Sequence, residues 1–342
     1  MAALSDKIAA GDVIVLDGAT GTEIARLGGE MNSAAWCAAA NKTHPEIVRQ
    51  VHESYLHAGV DIITTNTFAT CRHVLAGAGM ADETVAINRQ AVNLARQACQ
   101  GVAPTRPVAV AGSLSNTLAW CPGTNIPDPR YIPTAVEEMA NYREMADTLA
   151  EAGVDLLVLE MMLDIEHATR LMEVAVATGL PVWVGISCSK RTDGTLVGWD
   201  INLEGRVQGA RRPNPIAGTA EDAAIAWETP DLADIIEALK SLGGDVFGIM
   251  HSTVSNTSLG LATLCECWPG PVMAYPETMV LDRGTLQASV RISEADFASA
   301  CREWVESGVQ VIGGCCGTTI EHIRQMVDQL PPRVGMRRTI AC

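Results

Sequence analysis

The chain has 342 residues, 48% of them hydrophobic, and a formal net charge of −16. That is ample apolar material for one large core, and the acidic balance, with no basic stripe, excludes nucleic acid and anionic membrane surfaces as partners. Its eleven cysteines are odd in number and lack disulfide-scaffold spacing. A reducing, cytoplasmic setting with free or metal-bound thiols is therefore expected. No basic start precedes an apolar leader, and no apolar run reaches membrane-spanning length, so neither a signal peptide nor a span is expected.

Taken in chain order, short apolar runs alternate with amphipathic segments. The run Val13–Leu16 predicts the first strand. A long excursion, Arg26–Thr43, leads to a predicted helix over Pro45–Ala58, with Gly59 as its stop. Strand 2 is predicted at Asp61–Thr65, a helix at Asp82–Cys99 and strand 3 at Pro107–Ala111. Next come a helix at Thr134–Ala152 stopped by Gly153, strand 4 at Asp155–Leu159, a helix at Ile165–Thr178 and strand 5 at Pro181–Ile186. A second excursion, Asn202–Pro230, contains Arg211-Arg212-Pro213-Asn214-Pro215. Strands 6, 7 and 8 are predicted at Val246–Met250, Pro271–Tyr275 and Val309–Ile312, with helices at Ser293–Ser307 and Thr319–Gln329. The runs are rich in Val, Ile and Leu, as strands buried on both faces should be.

Eight such units predict an α/β fold, a single-domain (β/α)8 TIM barrel over residues 1–330 with long loops after strands 1 and 5 and a C-terminal tail, 331–342. A doubly wound open sheet is the alternative, and the strand count favours closure. The two long loops would lie on the catalytic face, as lid or interface elements or as plain surface insertions. Oligomeric state is open, and the tail is a candidate dimer arm or a disordered end.

Barrel chemistry gathers at the C-terminal ends of the strands. Those ends read Asp17-Gly18-Ala19-Thr20-Gly21, Thr65-Asn66-Thr67-Phe68, Gly112-Ser113, Glu160, Ser187-Cys188, His251-Ser252, Tyr275-Pro276-Glu277 and Gly313-Gly314-Cys315-Cys316-Gly317. The last is the most specific. Adjacent cysteines at a strand end, freed by glycines to turn both sulfurs to one point, suit a metal, although buried free thiols are the plainer alternative.

These motifs, together with His44-Pro45-Glu46 and Gly153-Val154-Asp155, resemble the homocysteine S-methyltransferase family from about residue 10 to about 330. The family has a (β/α)8 barrel and includes zinc enzymes using betaine, S-methylmethionine or S-adenosylmethionine. The resemblance implies Zn²⁺ on three thiolates, two of them Cys315 and Cys316, with homocysteine sulfur as fourth ligand attacking a methyl group on a cationic donor. Where the family places its third cysteine, this chain has His251. His251 is thus expected as the third ligand, with Cys188 as the lesser candidate. Two thiolates and an imidazole leave the site at about 0 net charge where three thiolates give about −1.

The resemblance also implies that Asp17 and Glu160 bind the substrate ammonium. Gly18, Thr20 and Gly21 would present the loop that meets the carboxylate. Asn66, Thr67, Ser113, Tyr275 and Glu277 are expected as further substrate-binding residues. Trp36 stands where the betaine branch has a tryptophan facing its donor, and Trp120 or Trp199 could complete an aromatic cage. Ala69 replaces that branch's tyrosine, which directs attention to sulfonium donors or another betaine. The expected activity is methyl transfer from a small onium donor to a thiol, most simply homocysteine to methionine, by a free-standing enzyme. The competing readings are a barrel enzyme with a different acceptor and a non-catalytic relative that has lost its metal.

Overall fold

The structure, a computed structural model, describes residues 2–31, 34–103, 105–121, 127–199, 229–282 and 287–336. The long excursion after strand 5, with its Arg-Arg-Pro motif, falls outside the described residues apart from its last two. The eight predicted strands all form, as β1 (Ile14–Val15), β2 (Ile62–Thr64), β3 (Ala109–Ser115), β4 (Leu156–Met162), β5 (Val182–Ile186), β6 (Val246–Met250), β7 (Val272–Tyr275) and β8 (Val311–Ile312). They pair in parallel in consecutive order, and β8 returns to β1 through the pairs Ile14–Val311 and Val15–Ile312. A parallel bridge between Leu16 and Ile62 joins β1 to β2 and closes the ring.

Residues alternate between two cores, as the strand period requires. Ile14, Leu16, Ile62, Leu156, Val158, Trp183, Val246 and Met273 fill the barrel interior. Val15, Ile63, Leu157, Leu159, Val184 and Phe247 face outward into the layer of helices. The N-terminal helix Ala2–Ala10 contributes Leu4 and Ile8 to the interior core. Its Lys7 is paired with Asp61 at 2.6 Å, and the Gln310 amide donates to the carbonyls of Ile8 and Asp12.

The predicted helices appear at Pro45–Ala58, Thr84–Val102, Ala135–Ala152, Glu166–Ala177, Glu294–Glu306 and Ile320–Gln329. Thr134 and Glu137 form a reciprocal capping box that satisfies two amides at the helix start. Gly59 and Gly153 end their helices in the left-handed conformation, at φ 97° and 91°. Two further helices, Leu232–Lys240 and Val254–Cys267, complete the outer layer, and hairpins Cys188–Lys190/Leu196–Gly198 and Met279–Asp282/Gln287–Arg291 extend the strand-end loops. After the last helix the chain runs back along the N-terminal segment, with Val13 N–H donating to Pro332 O and Val334 N–H to Gly11 O. Among the described residues, no helix is long and apolar enough to cross a membrane.

Candidate active site and metal centre

A cleft of about 1000 Å³, counted to its open mouth, lies over the C-terminal ends of the strands. Of the residues singled out from sequence, Asp17, Gly18, Thr20, Gly21, Trp36, Asn66, Glu160, His251, Tyr275, Glu277, Cys315 and Cys316 line it. Thr67 and Ser113 do not. Both are fully buried one layer behind, where the Thr67 hydroxyl donates to Ser113 O at 2.7 Å and the Ser113 hydroxyl donates to Glu160 Oε2. Strand β3 runs to Ser115, so Ser113 sits within the strand rather than past its end.

The loops carrying the polar groups are held by backbone bonds. Gly314 N–H donates to Asp17 O, Cys315 N–H to Pro276 O, Thr278 N–H to Cys316 O and Glu277 N–H to Ser252 O, all at 2.8–3.1 Å. The Tyr55 hydroxyl donates to Ala19 O and Thr318 O, which ties the β1 loop to the β8 loop. Gly18 permits this approach, since a Cβ there would stand 2.7 Å from the Tyr55 oxygen. Ala19 N–H is engaged by Thr318 O at 3.3 Å, so this amide of the glycine loop is already committed.

His251 Nδ1 lies 3.5 Å from Cys315 Sγ, and the two sulfurs are 3.9 Å apart. Ligand atoms of all three residues fall within 4.8 Å of one another. A tetrahedral zinc with ordinary bond lengths has S···S edges of about 3.8 Å and S···N edges of about 3.5 Å. The donor set therefore fits such an ion without rearrangement along the two measured edges. The Cys315 thiol is pushed well above its usual value by its hydrogen bond to Cys316 and by burial. A bound cation reverses that preference, because thiolate is the ligand form. Glu277 Oε2 lies 3.9 Å from His251 Nδ1, and the indole of Trp199 packs on the imidazole at 5.3 Å between ring centroids.

Cys188, the lesser ligand candidate, turns the other way. Its sulfur donates to Asn256 O at 3.5 Å, in the outer helical layer. Trp199 is 2% exposed behind His251 and packs with Leu163, so it does not line the cleft. Trp120 does, in an edge contact with Trp36 at 6.5 Å, with Phe68 also on the wall.

Asp17 accepts from Thr64 N–H at 2.7 Å and Thr64 Oγ1 at 2.8 Å. Burial nevertheless pushes its carboxyl up to about 8, against the opposing pull of those bonds, with Glu160 adding to the rise. Burial likewise pushes Glu160 up to about 7, while the Ser113 bond opposes it. Asn66 is committed to structure, since its amide donates to Cys37 O and Asn41 Oδ1 and its oxygen accepts from Cys37 Sγ. Among the described residues lining the cleft there is no lysine or arginine. The wall thus offers carboxyl groups and aromatic faces with no opposing cationic side chain, which suits cations once the carboxyls ionise.

Sequence reading did not single out Cys37, Thr64, Met161 or Met250, all of which line the cleft. Backbone strain marks the same place. Among the described residues, the non-glycine residues with positive φ are Trp36 (50°), Met161 (57°) and His251 (45°), and all three line the cleft.

A (β/α)8 barrel with two adjacent thiols, an imidazole and paired carboxylates at its strand ends has the make-up of a barrel S-methyltransferase. Residues 14–330 match the model of the homocysteine S-methyltransferase family, and the chain belongs to that family. Among solved structures, it is similar to the homocysteine methyltransferase MmuM of Escherichia coli. The metallated form has 22% identity and a TM-score of 0.68, over 96% of this chain and 98% of that one. The oxidized form, at the same identity and coverage, gives 0.66, and the apo form 0.62. At this identity the likeness establishes the shared fold.

Proposed function

We infer that this S-methyltransferase moves a methyl group from a small onium donor to the thiol of homocysteine, with Zn²⁺ held by His251, Cys315 and Cys316. The observation that carries this reading is the His251–Cys315–Cys316 cluster, whose 3.5 and 3.9 Å edges suit tetrahedral zinc. Bound zinc would supply the Lewis acidity that keeps a substrate thiol ionised at neutral pH. The protein's own groups do the rest. Asp17 and Glu160 hold the substrate ammonium, and Ser113 aims Glu160. The ionised carboxylates also compensate the cationic charge brought by ammonium and donor together. Trp36 and Trp120, with Phe68, face the onium group, whose positive charge the ring faces attract.

The test is direct. Zinc-loaded protein is incubated with homocysteine and, separately, S-methylmethionine, S-adenosylmethionine and betaine, and methionine is quantified. Methionine formation with a sulfonium donor, lowered at least ~100-fold in Cys316→Ala, is expected. Zinc-replete protein that forms no methionine with any of these donors would overturn the reading.

A further inference from the structure

Glu160 on β4 and His251 after β6 serve different parts of the site, and β5 lies between their strands. Both stand at irregular backbone. In the β4–β5 ladder, Leu159 pairs with Val184 and Met162 with Ile186, so β4 carries one extra residue at Glu160–Met161. Met161 and His251 both adopt left-handed φ. A bulge releases an amide from the ladder, and a buried amide left unpaired is costly.

Here Met161 N–H donates to Met250 Sδ at 3.3 Å, and Ser187 Oγ, just past β5, donates to the same sulfur at 3.1 Å. Met250 is 1% exposed and immediately precedes His251. Its own carbonyl accepts from Ser252 Oγ at 2.9 Å, on the far side of His251. Gly185 on β5 leaves the space, since a Cβ there would stand 2.8 Å from Met250 Cγ. One thioether thus gathers β4, β5 and β6 beneath the cleft, at two of its three strained positions.

We propose that Met250 is a positioning residue, whose sulfur acts as a hydrogen-bond acceptor that fixes the β4 bulge, and with it the aim of Glu160. An apolar filler would leave the Met161 amide without that acceptor. Leucine nearly conserves the volume but cannot accept. Glutamine has similar length and supplies an oxygen acceptor, at the cost of polarity in the core. The functional part of the proposal rests on Glu160 binding the substrate ammonium.

The experiment compares zinc-loaded wild type, Met250→Leu, Met250→Gln and Glu160→Gln. Steady-state kinetics are combined with amide hydrogen exchange of the peptide covering 159–163. Met250→Leu is expected to raise KM for homocysteine about 10-fold with the donor KM unchanged, and to speed exchange in that peptide. Met250→Gln is expected to bring both back to within about threefold of wild type. The reverse order, with leucine wild-type-like and glutamine impaired, assigns Met250 to packing and overturns the proposal. Should Met250→Gln not fold, the exchange rate in Met250→Leu decides, and an unchanged rate overturns it. Glu160→Gln with an unaltered homocysteine KM would instead sink the ammonium assignment, leaving exchange in Met250→Leu to judge the proposal.

Discussion

An amino-acid ammonium held by Asp17 and Glu160, as proposed above, would bind with a pH dependence set by both carboxyls. Burial pushes their carboxyls up to about 8 and about 7, from ordinary values of 3.8 and 4.5. An ammonium is held by carboxylates, so binding below these values must first expel protons. If both groups must ionise and titrate independently, affinity falls on the order of 100-fold or more from pH 8 to pH 6. At pH 7 about 1.4 protons leave per ligand bound. Isothermal titration calorimetry with methionine, which carries the ammonium without a thiol, measures both when run in two buffers of different ionisation enthalpy. Asp17→Asn and Glu160→Gln should each weaken binding and flatten the profile. An affinity constant from pH 6 to 8, with no buffer-dependent heat, would refute the assignment of the pair.

Three further outcomes follow from named contacts. Ser113→Ala removes the hydroxyl that holds Glu160, and should raise KM for homocysteine about 10- to 100-fold while the donor KM stays put. Trp36→Ala and Trp120→Ala should do the opposite, raising the donor KM about 2- to 30-fold with zinc content unchanged in elemental analysis. Asp17 also governs stability. Its folded-state value lies above the unfolded one, so the folded chain holds the proton more tightly. The stabilisation is full below about 4 and is lost as pH rises through about 8. Urea unfolding from pH 5 to 9 should show that decline in wild type and a flatter profile in Asp17→Asn.

The barrel was legible because each strand is a short Val/Ile/Leu run buried on both faces and several helices end on a glycine. Ser307-Gly308 before β8 is one example, with Gly308 at φ 105°. Helix Leu232–Lys240 carried a clear helical spacing in Leu232, Ile235, Ile236 and Leu239 that went unread, whereas Val254–Cys267, rich in Ser, Thr and Cys, carried a weak one. Strand ends were harder to read. The β3 and β4 runs were read as stopping at Ala111 and Leu159, yet the strands continue to Ser115 and Met162. Polar residues such as Ser113 look like a strand end but remain in the ladder because a neighbouring carboxylate satisfies them. The bulge at Glu160–Met161 depends on a sulfur from β6, almost ninety residues away, which no local pattern displays. Cys188 and Trp199 could not be oriented from spacing alone. One faces the helical layer and the other backs His251.

X-ray absorption at the zinc edge, combined with elemental analysis, bears most directly on a mixed thiolate–imidazole centre. Carefully reduced wild type should hold about one zinc per chain, with two sulfur ligands at about 2.3 Å and a nitrogen at about 2.0–2.1 Å, and lose metal in both His251→Ala and Cys316→Ala. Full retention of zinc in His251→Ala, or reduced wild type that takes up no zinc, would contradict it.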